Sequence, residues 1–228
     1  MSAFSTLLFD HLWIPASRAV PRSRQKVMIV LHGRGDSALA FSNIKNELRL
    51  PNVNYLVINA PRKYETGFTW CALDPKPGSP SLIAIRARLF ALIEELKVYG
   101  WKPSELLWLG HSQGCLVATD VALNHRETFA GLIGVSGYVS LQPGWKSKLA
   151  RSKAAKTPWL MTHGTLDRVI RLDEFRTDVR RLTSGAVRLE TAEFIKGHDF
   201  DFKNEVPFIR RWISNGITSA SRDLPDSN

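Results

Sequence analysis

Glu105-Leu106-Leu107-Trp108-Leu109 runs directly into Gly110-His111-Ser112-Gln113-Gly114, and the apolar stretch that follows reaches Leu123. The first five residues read as a buried strand, and Gln113–His125 reads as a helix. The glycine pair explains the pattern between them. A serine forced onto a sharp strand-to-helix turn has its hydroxyl lifted clear of the sheet. The residues two before and two after it must then pass close to neighbouring backbone, which only glycine allows. The helix that starts there aims free backbone N–H groups at any negative charge developing beside the serine. G-x-S-x-G is common by chance; in a strand–turn–helix context it points to a nucleophile.

The pattern alternates outward from this turn. Lys26–His32 and Asn54–Ala60 are continuous apolar runs, as expected of strands buried on both faces. Phe129–Ser136, Pro158–His163 and Val187–Phe194 read as further strands, with another near Leu7–Ile14. Ser37–Leu50 reads as a helix capped by Asp36 or Ser37 and ended by Pro51. In Leu82–Tyr99, Leu82, Ile85, Leu89, Leu92 and Leu96 share one helical face, and Gly100 ends it. Asp173–Leu182 and Asn204–Ser214 complete the helices, the last burying Phe208, Ile209, Trp212 and Ile213. Pro61–Ser81 reads as one long loop. The alternation predicts an α/β domain around a mostly parallel sheet. One domain is expected over 1–228, with the polar segment from about 215 as a flexible tail.

A serine nucleophile needs a base, and the base needs an orienting acid. On this architecture they follow in the order Ser, Asp or Glu, His. Asp167 stands just past the strand PWLMTH, and His198 in KGHDF, between the last strand and the last helix. Asp173 and Asp178 fall in a helical pattern and read as solvated-face residues. His32 and His163 end strands and read as structural. His111 stands in the turn, where it would line a site. Two glycines in His32-Gly33-Arg34-Gly35-Asp36 free the loop to aim a backbone N–H. The oxyanion donors are therefore assigned to the N–H groups of Arg34 and Gln113. Phe68, Trp70 and Trp145 are candidates, with His111, for walls of a substrate pocket. Arg34-Gly35-Asp36 also spells an adhesion tripeptide, which its place after a buried strand makes coincidental.

Composition sets limits. In 228 residues, 44% are hydrophobic and 23% charged, which excludes intrinsic disorder. Two cysteines exclude a disulfide scaffold and a four-cysteine zinc site, and fit a cytoplasmic protein. No run approaches the roughly 18 apolar residues of a membrane span. The first twenty residues lack a basic region, and Asp10 and His11 interrupt their apolar stretch, so they are expected to belong to the fold. The net charge is +10, and Lys146, Lys148, Arg151, Lys153 and Lys156 cluster in a stretch, Thr128 to His163, without an acidic residue. Such a cluster attracts anionic partners, but no nucleic-acid-binding signature accompanies it.

LHGRGDS, APRKYETGFTWCALD, LGHSQGC, HGTLDRVI and GHDF, in that order, make the chain resemble the carboxylesterase/phospholipase branch of the α/β-hydrolases, which includes acyl-protein thioesterases. The resemblance covers about residues 27 to 212. It implies an α/β-hydrolase fold, a mostly parallel central sheet with helices on both faces and no large cap domain. It implies an ester or thioester hydrolase with the triad Ser112, Asp167 and His198, no metal or organic cofactor, small-molecule ester or acylated substrates, and often a homodimer. Arg34 replaces a usually apolar residue, Cys115 a glycine, Cys71-Ala72 an aromatic–acidic pair and Arg171 a frequent proline. A lysophospholipase with the same triad and an idle binding module on the same fold are the alternatives. Gly137–Thr157, about 20 residues where a cap is often inserted, is too short for one, so the site is expected to be open.

Overall fold

In the computed structural model, residues 4–220 are described except 74, 151–152 and 186. The strands are β1 His11–Ile14, β2 Lys26–Leu31, β3 Val53–Ile58, β4 Arg62–Tyr64, β5 Gly67–Thr69, β6 Leu106–His111, β7 Gly131–Val135, β8 Trp159–Gly164 and β9 Leu189–Phe194. The α-helices are α1 Ile44–Leu48, α2 Pro80–Val98, α3 Gln113–Asn124, α4 Trp145–Ala150, α5 Leu172–Thr183 and α6 Glu205–Ala220. Seven strands form one sheet in the order β1-β3-β2-β6-β7-β8-β9. All neighbours are parallel except β1, which pairs antiparallel with β3.

Period-two alternation along the strands feeds two cores, one on each face of the sheet. Leu106 and Trp108 face the core formed with α2, α3 and α5, while Leu107 and Leu109 face the one formed with α1 and α6. The heptad-like face of α2 is buried as its spacing predicts: Leu82, Ile85, Leu89, Leu92 and Leu96 all lie in the first core. Phe4 and Phe9 are buried there too, so the chain ahead of β1 packs into the domain. Among the described residues, no helix is long and apolar enough to cross a membrane.

The structure departs from the sequence reading at four places. Ser37–Leu50 is a 3-10 turn over Ala38–Phe41 followed by the five-residue α1, ended by Arg49 in the left-handed region (φ 51°) rather than by Pro51. Pro61–Ser81 is not one loop: β4 and β5 pair as a hairpin inside it, and Phe68 bridges back to Asp36. A helix, α4, occupies part of Gly137–Thr157. The last helix runs on through Ala220, past the point where fraying is expected, and 221–228 lies outside the described residues, as does Arg151 of the basic cluster.

The strand-to-helix turn is a tight junction. A Cβ at Gly110 would overlap the carbonyl oxygen of Gly114, and one at Gly114 would overlap that of Leu31 on β2. Gly114→Ala must therefore push α3 off the sheet. It is expected to cost about 3 kcal/mol or more of stability, read as a lowered urea midpoint at unchanged slope. A midpoint like that of the parent protein would contradict this packing.

Candidate active site

Ser112 is the residue before α3 and stands at φ 53°, ψ −117°. Few non-glycine residues hold a positive φ, and such strain persists only where the surroundings impose it. Here the backbone is pinned on both sides: the Ser112 N–H donates to the Val135 carbonyl at 3.0 Å, and the Ser112 carbonyl accepts from Cys115 N–H at 3.0 Å.

The turn brings together the three residues that sequence order picks out. The Ser112 hydroxyl lies 2.9 Å from Nε2 of His198, whose Nδ1 lies 2.8 Å from Oδ2 of Asp167. The carboxylate can only accept at Nδ1, so that nitrogen carries the proton and Nε2 is left to accept from the serine. Asp167 is fixed by the backbone N–H groups of Val169 (2.8 Å) and Ile170 (3.0 Å), both donating to Oδ1. Burial raises its pKa, but the hydrogen bonds from His198, Ile170 and Val169 outweigh that and hold it below the usual aspartate range. A carboxylate that stays ionised this way stabilises an imidazolium beside it.

The loop carrying His198 is clamped at two consecutive carbonyls. His111, on the inner side of the turn, donates from Nε2 to the carbonyl of His198 at 3.0 Å. Lys196, itself buried, donates from Nζ to the carbonyl of Asp199 at 2.9 Å and to Ser136 Oγ at 2.7 Å, and pairs with the fully buried Glu205 at 2.9 Å. Glu205 in turn accepts the N–H of Asp201 at 3.1 Å, joining the loop to the start of α6. A buried lysine needs this full set of partners to be tolerated. Nothing in the sequence pattern marks Lys196 or Glu205; a lone basic residue two positions before the histidine is their only trace.

His32 and His163 hold the frame, as their strand-end positions suggest. The Ala60 N–H donates to His32 Nε2 at 3.0 Å, so Nδ1–H donates to the Gly33 carbonyl at 2.6 Å and shapes the loop that carries Arg34. His163 donates to the Ile170 carbonyl at 3.0 Å and stacks on Phe175.

Among the described residues, neither the Arg34 nor the Gln113 backbone N–H has a protein acceptor, and both residues line the cleft beside Ser112. The Gln113 side chain faces away. Its Oε1 accepts from Thr69 Oγ1 (3.0 Å) and the Trp70 N–H (2.9 Å), tying β5 to the turn. The Arg34 guanidinium lies over the Tyr64 ring of the hairpin.

The cleft has a volume of about 750 Å³. Besides Arg34, Ser112, Gln113 and His198, it is lined by Leu73, Tyr138, Val169 and Ile170 and by the more polar Asp173, Glu174, Thr177 and Asp178 of α5. None of Phe68, Trp70, His111 and Trp145 lines it, which corrects the expectation that they wall a substrate pocket. Trp70 is buried and donates from Nε1 to the His32 carbonyl at 2.8 Å. Phe68 packs in the hairpin against the first core, and Trp145 packs from α4 against the same core beside Gly185. The rings were needed for packing. Asp178 is a second correction: it is buried, not solvated, because its Oδ2 accepts the Val139 N–H at 3.0 Å. Burial raises its pKa.

Cys115 is fully buried, and burial raises its thiol pKa to about 12. A Cβ at Gly134 or Gly137 would run into its sulfur, so these two glycines make the room it occupies. Burial likewise raises Cys71, to about 11. Neither is a reactive thiolate at neutral pH.

The arrangement can transfer a proton from a serine hydroxyl to an imidazole, and the two backbone N–H groups without a protein acceptor belong to residues that line the same cleft. The family described as phospholipase/carboxylesterase matches residues 18–217, and the chain belongs to that family. It is 27% identical over 208 residues to carboxylesterase SOBER1 of Arabidopsis thaliana, covering 84% of this chain and 90% of that one. It is 27% identical over 176 residues to acyl-protein thioesterase 1 of Yarrowia lipolytica, covering 70% and 75%. Among solved structures, Arabidopsis thaliana SOBER1 superposes with a TM-score of 0.74 at 25% identity over 85% of this chain and 99% of that one. Esterase PE8, at 20% identity, shares the fold with a TM-score of 0.77 over 91% and 98%.

Burial lowers the pKa of His111 to about 4. Its unfolded value lies near 6.5, so the unfolded chain binds more protons between those limits. This group's contribution to stability is therefore whole above about pH 6.5 and is lost as the pH falls towards 4. The melting temperature of His111→Phe is expected to drop less between pH 7 and pH 4.5 than that of the parent. An equal drop in both would contradict a buried neutral His111.

Proposed function

We propose that the protein hydrolyses carboxylic esters or thioesters through an acyl-enzyme on Ser112. The observation that carries this reading is the unbroken chain from Ser112 Oγ through His198 to Asp167, at 2.9 and 2.8 Å, on a positive-φ turn at the mouth of a cleft. Membership of the phospholipase/carboxylesterase family and likeness to relatives named carboxylesterase and acyl-protein thioesterase support it.

His198 Nε2 takes the hydroxyl proton as Ser112 Oγ attacks the acyl carbonyl. Asp167 keeps the imidazole in the required tautomer and stabilises the imidazolium. The N–H groups of Gln113 and Arg34 donate to the carbonyl oxygen as it gains negative charge; losing one such donor typically costs on the order of 10²–10³ in rate. The imidazolium then protonates the leaving alcohol or thiol. Water, deprotonated by the same imidazole, releases the acid and restores the serine. The Lys196 and His111 clamps hold His198 at its working distance, so no reorganisation of that loop is needed during turnover.

Hydrolysis of p-nitrophenyl esters from acetate to palmitate tests the reading. Ser112→Ala is expected to reduce kcat/KM by roughly 10³-fold or more, and the best chain length sizes the acyl subsite. Turnover by folded Ser112→Ala at the parent rate would overturn it.

A further inference from the structure

A second cavity, of about 270 Å³, lies behind the wall that carries Ser112 and His198. That wall is narrow: Asp36, His111 and Asp199 line this cavity, while Arg34, Ser112 and His198 line the cleft on the other side. We propose that this cavity binds a small organic ammonium cation with an apolar body, at a site separate from the cleft.

The interior supplies the apolar part. Phe41, Ile44, Leu48, Val206 and Ile209 are buried residues of the second core whose side chains reach the cavity. Three of the lining residues are phenylalanines set at different angles: Phe41 and Phe200 meet edge to face at 5.7 Å, and Phe202 stacks on Phe200 at 6.3 Å. Phe202 is 58% exposed, so its ring is open to a ligand from the solvent side. Aromatic faces carry negative quadrupole charge and attract organic cations.

The charge gives the sign of the ligand. Asp36, Glu47 and Asp199 also line the cavity. Among the described residues none of the three is in an ion pair, although the chain carries ten more cations than anions. The Asp199 carboxylate has no hydrogen bond either, its backbone carbonyl alone being engaged by Lys196. Asp36 Oδ1 accepts the Ser37 N–H at 2.7 Å and Glu47 Oε1 the Asn43 amide at 3.3 Å, both from neutral donors. The negative charge of all three thus stays uncompensated and favours a cation over an anion or a neutral molecule. An ammonium with an aromatic or branched body meets both parts. The volume falls just below the usual range for drug-sized ligands, roughly 300–1,000 Å³, so the ligand is a small one.

Benzyltrimethylammonium is the probe, titrated into the full chain by isothermal calorimetry at low ionic strength, with 3-phenyl-1-propanol as the neutral counterpart. Saturable binding is expected, about tenfold or more tighter for the cation than for the alcohol. The pair Glu47→Gln with Asp199→Asn is expected to weaken the cation about tenfold, while Asp173→Asn with Glu174→Gln, on the cleft wall, leaves it unchanged. Melting curves confirm that both double variants fold. Equal affinity for the alcohol, no saturable binding, or an affinity that follows the cleft pair instead of Glu47 and Asp199 would each overturn the proposal.

Discussion

The backbone at Ser112, at φ 53° and ψ −117°, is the constraint on which the other parts rest. A residue held there stores strain of roughly 1–3 kcal/mol, and the fold absorbs it by bringing β6, β2 and α3 so close that only glycine fits at 110 and 114. That closeness starts α3 beneath the serine and leaves the N–H of Gln113, a residue that lines the cleft, without a protein acceptor among the described residues. It also turns His111 inward, where its ring reaches the loop that carries His198. One strained turn thus places the Ser112 hydroxyl, the free N–H of Gln113 and the His111 clamp on the His198 loop.

The remaining groups reach the turn from far along the chain, and each is over-held. Asp167 has two backbone donors besides His198. The His198 loop is fixed by a buried lysine–glutamate pair and by His111. The Arg34 loop is shaped by His32 and by the hairpin, which is tied to α3 through the Gln113 side chain. Geometry kept by several independent bonds is preorganised, which is what the proposed hydrolysis requires of these groups.

Much of this was legible in the sequence because local rules and the fold agree there. G-x-S-x-G between an apolar run and a helix has few other physical readings, and chain order places Asp167 and His198. The sheet and the α2 face follow from periodicity. What was not legible depends on contacts between distant segments. The hairpin of β4 and β5 has three-residue strands in a polar stretch and is held by pairing with Asp36. α1 is short because Arg49 turns left-handed and Ala38 donates to Asn59, neither of which a helical pattern reveals. Asp178 sits where periodicity suggests solvent, and only the Val139 N–H explains its burial. The aromatic residues expected around a substrate are structural because the same rings serve packing equally well, and composition cannot tell the two uses apart.

The central claim is that His198 and Asp167 activate Ser112, and no other side chain, as a nucleophile. Reaction of the full chain with a fluorophosphonate at neutral pH, followed by intact and peptide mass measurement, addresses it directly. The account predicts one adduct per chain, on the peptide containing Ser112, with labelling slowed by roughly 10³-fold or more in His198→Ala. Labelling of another residue, or labelling of Ser112 at an unchanged rate without His198, would contradict it.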